Sequence, residues 1–366
     1  MRFVTLFLKT ENVHLLKDVG MIPYHLYKDH ALDCCVACYK NSDEYTYAGD
    51  EVKGLKLDFV KKTRGGIIFD GIRYLVFNAR KIDILNIYHL NLSSYFYGIV
   101  YRLFNHRGKI YLKLDMNPAG FISCFKKDPV GMIKRATIRH ADTVSVETTL
   151  MLKKLKKFYG DKIIFIPNGC YQHGSDKPIT PKEHIILTVG NLGTYEKATD
   201  VLLEAYAEYI KRSPGSDWKL RLTGSVDESF KGFLEDYYMR YPGIRDRITF
   251  TGPIRDRDRL DEEYGRAAVF TLPSLSESFG IVLVEAALKG CYLITSDMVP
   301  AGYDISDKYR YGAVVPAGNA SKLAEAFAKV CDSDRDRAAL AAELAQRTRT
   351  LYNWNKIIDR LYKKLC

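Results

Sequence analysis

Two glutamates eight positions apart, Glu277 and Glu285, lie in the segment Pro273-Ser274-Leu275-Ser276-Glu277-Ser278-Phe279-Gly280-Ile281-Val282-Leu283-Val284-Glu285-Ala286-Ala287-Leu288-Lys289-Gly290. An apolar strand is predicted to end at Leu272, a turn follows, and a helix is predicted from near Gly280. The unpaired N–H groups at a helix start carry partial positive charge, so a phosphate group is well placed there. A carboxylate accepts two hydrogen bonds at once, which suits the vicinal hydroxyls of a sugar. The spacing sets one acid at the mouth of such a seat and the other one to two turns inside the helix. A capping glutamate plus a surface glutamate would give the same pattern, and spacing alone leaves both readings open.

Other residue types invite chemistry less clearly. Cys34, Cys35 and Cys38 cluster in an apolar run, with no second Cys pair or Cys/His knuckle to complete a zinc site. They read as buried free thiols, since Cys packs as a small hydrophobe. With no export signal at Arg2–Lys9, the eight cysteines are expected to stay reduced. Asp-x-Asp triplets occur at Asp256-Arg257-Asp258 and in Asp332-Ser333-Asp334-Arg335-Asp336. Both are accompanied by arginine, which repels a cation, and neither directly follows a predicted strand. They read as solvated charge, so no metal site is expected.

The elements that must position these residues follow from length and patterning. The chain has 366 residues, more than one ordinary core, which favours two domains. With 47% hydrophobic, 12% aromatic and 27% charged residues, it is neither disordered nor fibrous. No apolar run reaches the roughly 18 residues of a spanning helix. Short apolar runs at 2–8, 33–38, 66–69, 74–77, 84–88, 109–114, 142–146 and 162–166 read as strands, with helical spacing at 91–104 and 129–139 between them. The alternation restarts at Ile185–Val189, with a helix over Asp200–Lys211. Further strands are predicted at Lys219–Thr223, Ile248–Phe250, Val269–Leu272 and Tyr292–Thr295. This pattern argues for two α/β domains with largely parallel sheets, joined by the polar stretch 168–183. A cleft between two such sheets is a natural ligand site.

The charge is uneven. Residues 1–170 hold 27 basic and 16 acidic residues, whereas 171–366 hold 28 of each, so the whole excess of +11 lies in the first half. It is densest at Arg102–Lys109, Lys126–Arg139 and Lys153–Lys157, interleaved with Phe121, Phe125, Met132, Leu152, Leu155 and Phe158. A helix with lysine on one face and Phe or Leu on the other binds anionic bilayers. Residues 121–159 are therefore expected to meet an anionic membrane surface, and the protein to be cytoplasmic and peripheral. Nucleic acid is the competing anion, but no recognition motif accompanies the charge and none is expected to bind.

The segment 273–290 resembles the E-x7-E motif of retaining glycosyltransferases with the GT-B fold, family 4 in particular. Glu277 and Glu285 match the two acids, and Phe279-Gly280 the usual Phe-Gly step. The flanks agree: Phe250–Ile254, Phe270–Ser274, Ser296-Asp297, Leu187–Asn191 and Glu196–Ala205. The resemblance is strong over about 160–300 and weaker over 1–150.

It implies two Rossmann-like domains facing a central cleft: an acceptor-binding domain at 1–170, completed by a helix at 351–366 that begins after Tyr352-Asn353-Trp354, and a donor domain at 180–350. It implies that Glu285 holds the ribose of a UDP- or GDP-sugar and that Glu277 sits by the donor sugar. Phe279, Gly280, Ile281 and Val282 would contact sugar and diphosphate. Lys197 would neutralise the leaving diphosphate, and Gly190 would let the chain pass close to it. Asn191 departs from the family, where many members carry Arg in an Arg/Lys clamp. In the first domain Gly20 is the one glycine of a loop that is usually glycine-rich, and His89 stands where relatives place a sugar-contacting histidine.

A double displacement needs a carboxylate nucleophile at the anomeric carbon. The resemblance implies front-face transfer instead, in which the leaving diphosphate helps deprotonate the acceptor hydroxyl of a glycan or lipid-linked substrate. No cofactor and no metal would be required. The rival readings are a GT-B epimerase or phosphorylase, and a basic binding module without catalysis.

Overall fold

Phe3 and Val4 point to opposite faces of one sheet, as do Ile84 and Leu85, and both faces are apolar. A strand buried on both sides needs helices above and below it, which is the condition for a parallel sheet. The computed structural model describes residues 1–170, 181–333 and 337–366, the last stretch without the side chain of Arg337. It divides into two compact units, Met1–Tyr171 with Tyr352–Cys366, and Gln172–Leu351.

The first unit carries strands β1 (Arg2–Leu6), β2 (Asp33–Cys38), β3 (Lys56–Phe59), β4 (Ile84–Tyr88), β5 (Lys109–Leu114), β6 (Thr143–Val146) and β7 (Ile163–Phe165). They pair in parallel in the order β3-β2-β1-β4-β5-β6-β7. One face is covered by the helices Gly66–Asn78, Leu92–Phe104, Pro129–His140 and Thr149–Tyr159. The other is covered by Asp18–His30 and the last helix, Trp354–Leu365. Trp354, Ile357, Ile358, Leu361 and Leu365 of that last helix are buried at helical spacing, each contributing roughly 1.5–3 kcal/mol by burial. Asn353 caps it by accepting from the N–H of Asn355 and Lys356.

The second unit carries β8 (Glu183–Val189), β9 (Lys219–Thr223), β10 (Ile248–Gly252), β11 (Ala267–Leu272), β12 (Tyr292–Ser296) and β13 (Gly312–Val315), also parallel, in the order β10-β9-β8-β11-β12-β13. Both sheets are doubly wound. The chain moves outward in one direction from β1 or β8, then restarts on the other side at β4 or β11. Crevices beyond the strand ends at β1/β4 and β8/β11 are where such folds take ligands.

Three expectations are corrected. Residues 66–69 and 74–77 are not strands but parts of the helix Gly66–Asn78. Asp70, Gly71, Tyr74 and Leu75 face inward at helical spacing while Phe69, Val76 and Phe77 are exposed, so apolar composition misled where periodicity did not. The third strand is the edge segment Lys56–Phe59, whose alternating charge hid it. In the helix Thr149–Tyr159, Met151 and Leu155 pack into the core while Phe158 is exposed, so only part of its apolar stripe faces outward. The expected linker 168–183 falls mainly on residues 171–180, outside the described residues. All eight cysteines are free thiols, and Cys34, Cys35 and Cys38 are buried, as their apolar run suggested.

Candidate active site

The segment after β11 is tied down on two sides. The Leu275 N–H donates to the carbonyl of Glu196 at 2.8 Å, fixing it to the turn Tyr195–Lys197. On the other side the Ser296 hydroxyl donates to the Ser274 carbonyl at 2.5 Å, and the Glu277 N–H to the Met298 carbonyl at 3.3 Å. β8 and β12 are the two neighbours of β11, so the loop is anchored to the turn that follows β8 and to the end of β12.

This anchoring brings Lys197 onto Glu277. The ammonium donates to Oε1 of the carboxylate, which also lies 3.5 Å from the Ser274 hydroxyl. The lysine stem runs past Gly190, where a Cβ would stand 3.6 Å from Lys197 Cε. Gly190 is in turn pressed by Gly224, at which a Cβ would meet the Gly190 carbonyl oxygen at 1.8 Å. The missing Cβ at Gly224 therefore allows the β8 and β9 loops to meet, and the Lys197 stem lies beside that contact. Asn191 is exposed and its Oδ1 accepts from Ser225 at 3.2 Å.

Gly280 stands at φ +76° immediately before the helix Ile281–Leu288. Only glycine enters that left-handed conformation freely, and here it turns the chain from the loop into the helix. Phe279 is buried beneath the turn, while Ile281 and Val282 are half-buried at the helix start. One to two turns in, Glu285 accepts from Tyr264 Oη at 2.8 Å and from Arg257 Nη1 at 3.3 Å. The side chains of Glu277 and Glu285 are 13% and 15% exposed, so neither carboxylate points freely into solvent. Their partners differ: Lys197 for the first, Arg257 and Tyr264 for the second.

Arg257 was missed by sequence reasoning, which took its Asp-Arg-Asp run as solvated charge. Asp256 is the cap of the helix Arg257–Arg266, accepting from the N–H of Asp258 and Arg259, and this aims Arg257 at Glu285. Of the second triplet run, Asp332 accepts from Tyr209 and Ser213, and residues 334–336 lie outside the described residues.

His89 and Gly20 belong to the first unit. His89 follows β4 at φ +63°, an uncommon conformation for a non-glycine residue. Its ring meets Phe7 edge-on at 5.8 Å, and its Nδ1 lies 3.9 Å from Asp115 Oδ2. Gly20 is buried in the helix Asp18–His30, and a Cβ there would meet the Leu15 carbonyl oxygen at 2.3 Å. Close packing against the turn Asn12–Leu16 is a sufficient reason for this glycine. The helix start already carries a carboxylate, Asp18, beside its partial positive charge.

In the first unit, Ile122, Val130, Met132 and Phe158 are exposed among Lys126, Lys127, Lys153, Lys156 and Lys157. The rings of Phe121, Phe125 and Phe158 pack at 4.4–6.4 Å, with the Lys154 ammonium over Phe121. Among the described residues no helix is long and apolar enough to cross a membrane.

Residues 183–333 match the family described as "Glycosyl transferases group 1". The chain is 29% identical over 221 residues to a D-inositol 3-phosphate glycosyltransferase of Nocardia farcinica, covering 56% of this chain and 48% of that protein. It is 28% identical over 213 residues to a phosphatidyl-myo-inositol mannosyltransferase of Mycolicibacterium smegmatis, covering 56% and 52%. The chain thus spans about half the length of the curated relatives it matches. Among solved structures, Anabaena HepE in complex with UDP superposes with a TM-score of 0.76 at 15% identity, covering 100% of this chain and 99% of that one. The lipopolysaccharide outer core galactosyltransferase WaaB, in its apo form, does so at 0.72 and 15%, covering both chains fully. These likenesses establish the fold: two parallel α/β units of the GT-B type.

Proposed function

We propose, for a chain of GT-B fold whose segment 183–333 belongs to the glycosyl transferases group 1 family, that it is a retaining glycosyltransferase. It moves a sugar from a nucleoside-diphosphate sugar to a hydroxyl of a glycan or lipid-linked acceptor. The observation that carries this reading is the meeting of Lys197, Glu277 and Gly190 beside the Gly280 helix start, at the point where the second sheet reverses direction.

Each part then has a task. The ammonium of Lys197 and the N–H groups at the Ile281–Leu288 start meet the diphosphate, whose negative charge grows as it leaves. Glu277 takes hydroxyls of the donor sugar and keeps the ammonium in place. Glu285, oriented by Tyr264 and Arg257, takes the two ribose hydroxyls. Asn191 adds no charge, so the clamp is weaker than in relatives with Arg there, or another cation joins Lys197 and the helix start. No carboxylate needs to act as nucleophile, and the leaving diphosphate receives the acceptor proton on the face it departs from. Positioning and neutralisation supply the rate, and no divalent ion is required.

The donor belongs to the unit Gln172–Leu351 and the acceptor to the unit completed by the last helix. Relatives named for inositol phosphate and phosphatidyl-inositol acceptors favour a hydroxyl-rich, lipid-associated acceptor here. The lysines and exposed Ile122, Val130, Met132 and Phe158 of the first unit suit an anionic bilayer surface on the cytoplasmic side.

The test is a panel of UDP- and GDP-sugars read by thermal shift, since a ligand that binds only the native state raises its stability. The anomeric configuration of the product is then read by NMR. At least one donor should stabilise the chain, and turnover should persist in EDTA with the anomer retained. No stabilisation by any donor, or an inverted product, contradicts the reading.

A further inference from the structure

The helix Leu92–Phe104 is apolar on the side away from its sheet as well as on the side against it. Tyr97 and Tyr101 are buried, yet Leu92, Phe96, Leu103 and Phe104 are 49%, 38%, 75% and 38% exposed. Leu92, Phe96, Ile99 and Leu103 recur at helical spacing and form one outward stripe. A helix that is hydrophobic all round is ordinarily a covered one, and a contiguous exposed apolar patch marks an interaction surface.

A groove of about 240 Å³ opens beside this stripe, lined by Gly98, Ile99, Arg102, Leu103 and His140. His140 ends the neighbouring helix Pro129–His140, and its ring stacks on Tyr95 at 6.4 Å. Gly98 is buried, but its own surroundings do not demand a glycine. A Cβ built there would meet no atom nearer than Ile110 Cδ1 at 3.8 Å, apart from the helix backbone itself. At Gly71 and Gly108 nearby, a Cβ would strike Tyr97 at 2.2 Å and Tyr101 at 1.9 Å. Those two glycines are required by packing and Gly98 is not. A glycine in mid-helix weakens the helix relative to alanine, and what the missing Cβ leaves here is the groove.

The groove stands apart from the sites described above. Gly98–Leu103 and His140 lie at the carboxyl ends of their helices, just before Lys109 and Thr143 begin β5 and β6. That is the amino-terminal edge of the first sheet, opposite the strand ends where α/β folds take substrates.

Charge selects the occupant. The helices Leu92–Phe104 and Pro129–His140 contain no acidic residue, and they carry Arg102, Lys134, Arg135 and Arg139. Arg107 and Arg139 are exposed within a few residues of Leu103 and His140. The acid just beyond, Asp142, accepts from Arg102 Nη2 at 2.6 Å and from the Ile110 N–H at 2.7 Å. A second copy of this chain laid on the same face would set these cations against their own kind. Nucleic acid would match the charge and leave the apolar stripe uncovered. An anionic lipid has a tail for the groove and a head for the cations. The helix Pro129–His140 also bears Val130 and Met132, 57% and 61% exposed, so the groove is continuous with the surface assigned above to an anionic bilayer. An apolar cavity of roughly 150 Å³ already holds a benzene-sized ligand, and this one takes part of a single acyl chain.

We propose that the groove between the helices Leu92–Phe104 and Pro129–His140 seats one acyl chain of an anionic phospholipid, whose head lies by Arg107, Arg139 and His140. Gly98 opens the groove, and Ile99 and Leu103 form its wall. This deepens the bilayer reading above and rests on it for the source of the lipid; the groove itself is defined by binding of a single lipid.

The test uses the full chain and dihexanoyl-phosphatidylglycerol below its micelle concentration, with dihexanoyl-phosphatidylcholine as the neutral control. Titration calorimetry compares wild type, Gly98→Leu, which fills the groove, and Leu103→Ser, which removes part of its wall. Leu103 is exposed, so Leu103→Ser is expected to keep the wild-type melting temperature and guards against a misfolded Gly98→Leu. Wild type should bind the anionic lipid saturably and roughly tenfold more tightly than the neutral one, and both variants should bind it roughly tenfold more weakly. Equal binding by wild type and both variants, no anionic lipid bound by wild type, or equal affinity for the two lipids overturns the proposal. A wild-type dimer in sedimentation velocity that Leu103→Ser dissociates assigns the groove to a second copy and overturns it too. Lipid binding lost in both variants, by a chain that does not sediment with anionic vesicles, supports this site and overturns the bilayer reading instead.

Discussion

Lys197 and Glu277, 80 positions apart, share a charge-assisted hydrogen bond, and the loops carrying them are joined a second time through the Leu275 N–H and the Glu196 carbonyl. Two groups so joined act as one unit. Lys197→Ala and Glu277→Ala should each lower kcat for nucleotide-sugar turnover by roughly 100- to 1,000-fold, the scale of losing one preorganised electrostatic contact. The double variant should lose little more than either single one, because contacting groups are not additive. Losses that multiply in the double variant would show that the two act separately.

Glu285 answers to a different measurement. Held by Tyr264 and Arg257, it is assigned to ground-state binding. Glu285→Gln should weaken donor binding by roughly 10- to 100-fold, the worth of a hydrogen bond to a charged group, with kcat much less affected. Arg257→Ala should weaken it in the same direction through misorientation of Glu285. Titration calorimetry with the stabilising nucleotide sugar checks both; an unchanged Kd in each removes Glu285 from the donor site.

The glycines separate stability from chemistry. Gly224→Ala places a Cβ 1.8 Å from the Gly190 carbonyl oxygen at φ +140° and should destabilise by several kcal/mol or abolish folding. Gly232, inside the helix Lys231–Arg240, has no atom within 4 Å of a built Cβ. Gly232→Ala should therefore stabilise by up to about 1 kcal/mol through helix propensity alone. Thermal unfolding compares the two, and a Gly224→Ala protein as stable as wild type would refute the contact.

The carboxyl of Asp18, pushed up by burial and by the neighbouring Asp115, makes a pH-dependent contribution. Its ordinary value is 3.8 and in the fold it is about 6. Between those values the native state holds a proton that the unfolded chain has released, so this group's contribution is fully present below pH 3.8 and is lost as pH rises through 6. Measured against Asp18→Asn, wild type should lose on the order of 1–3 kcal/mol of relative stability from pH 4 to pH 7. Parallel stability curves for the two proteins over that range would show that Asp18 is unperturbed.

Membrane association is tested with vesicles. Wild type should sediment with anionic vesicles and be released by salt, since each basic residue near the surface contributes about 1 kcal/mol that salt screens. Ile122→Ser with Phe158→Ser should weaken binding while leaving the core helix face at Met151 and Leu155 untouched. Equal, salt-insensitive partitioning onto neutral and anionic vesicles would exclude this surface.

The second unit was far more legible in the sequence than the first. There most strands are short, largely apolar runs closed by a turn, and the helix start at Gly280 announces itself through Phe279-Gly280 and the small residues Ala286-Ala287. Its last strand, Gly312–Val315, escaped because four residues are too few to show a period. In the first unit composition outvoted periodicity at Gly66–Asn78, whose outer face carries Phe69 and Phe77 in solvent. At the site, Glu277, Lys197 and Gly280 could be named because each stands in a local pattern. Arg257 could not, because its task appears only once Asp256 caps a helix that carries it to Glu285. The buried ion pair of Lys113 with Glu147 was equally hidden. Lys113 reads as one more alternating lysine in Lys109–Leu114 until pairing sets it opposite Ser145 and brings Glu147 within reach.

The helix Trp354–Leu365 closes the face of the first sheet that Phe3, Ile22 and Val36 occupy. On the ribosome, the segment made first therefore cannot complete its interior until residues 352–366 have emerged. Meanwhile the later unit, continuous in sequence, has every strand it needs. Assembly of this protein is expected to run against the order of synthesis: the newer half consolidates while the older one waits with an uncovered greasy flank, the natural target for a holding chaperone.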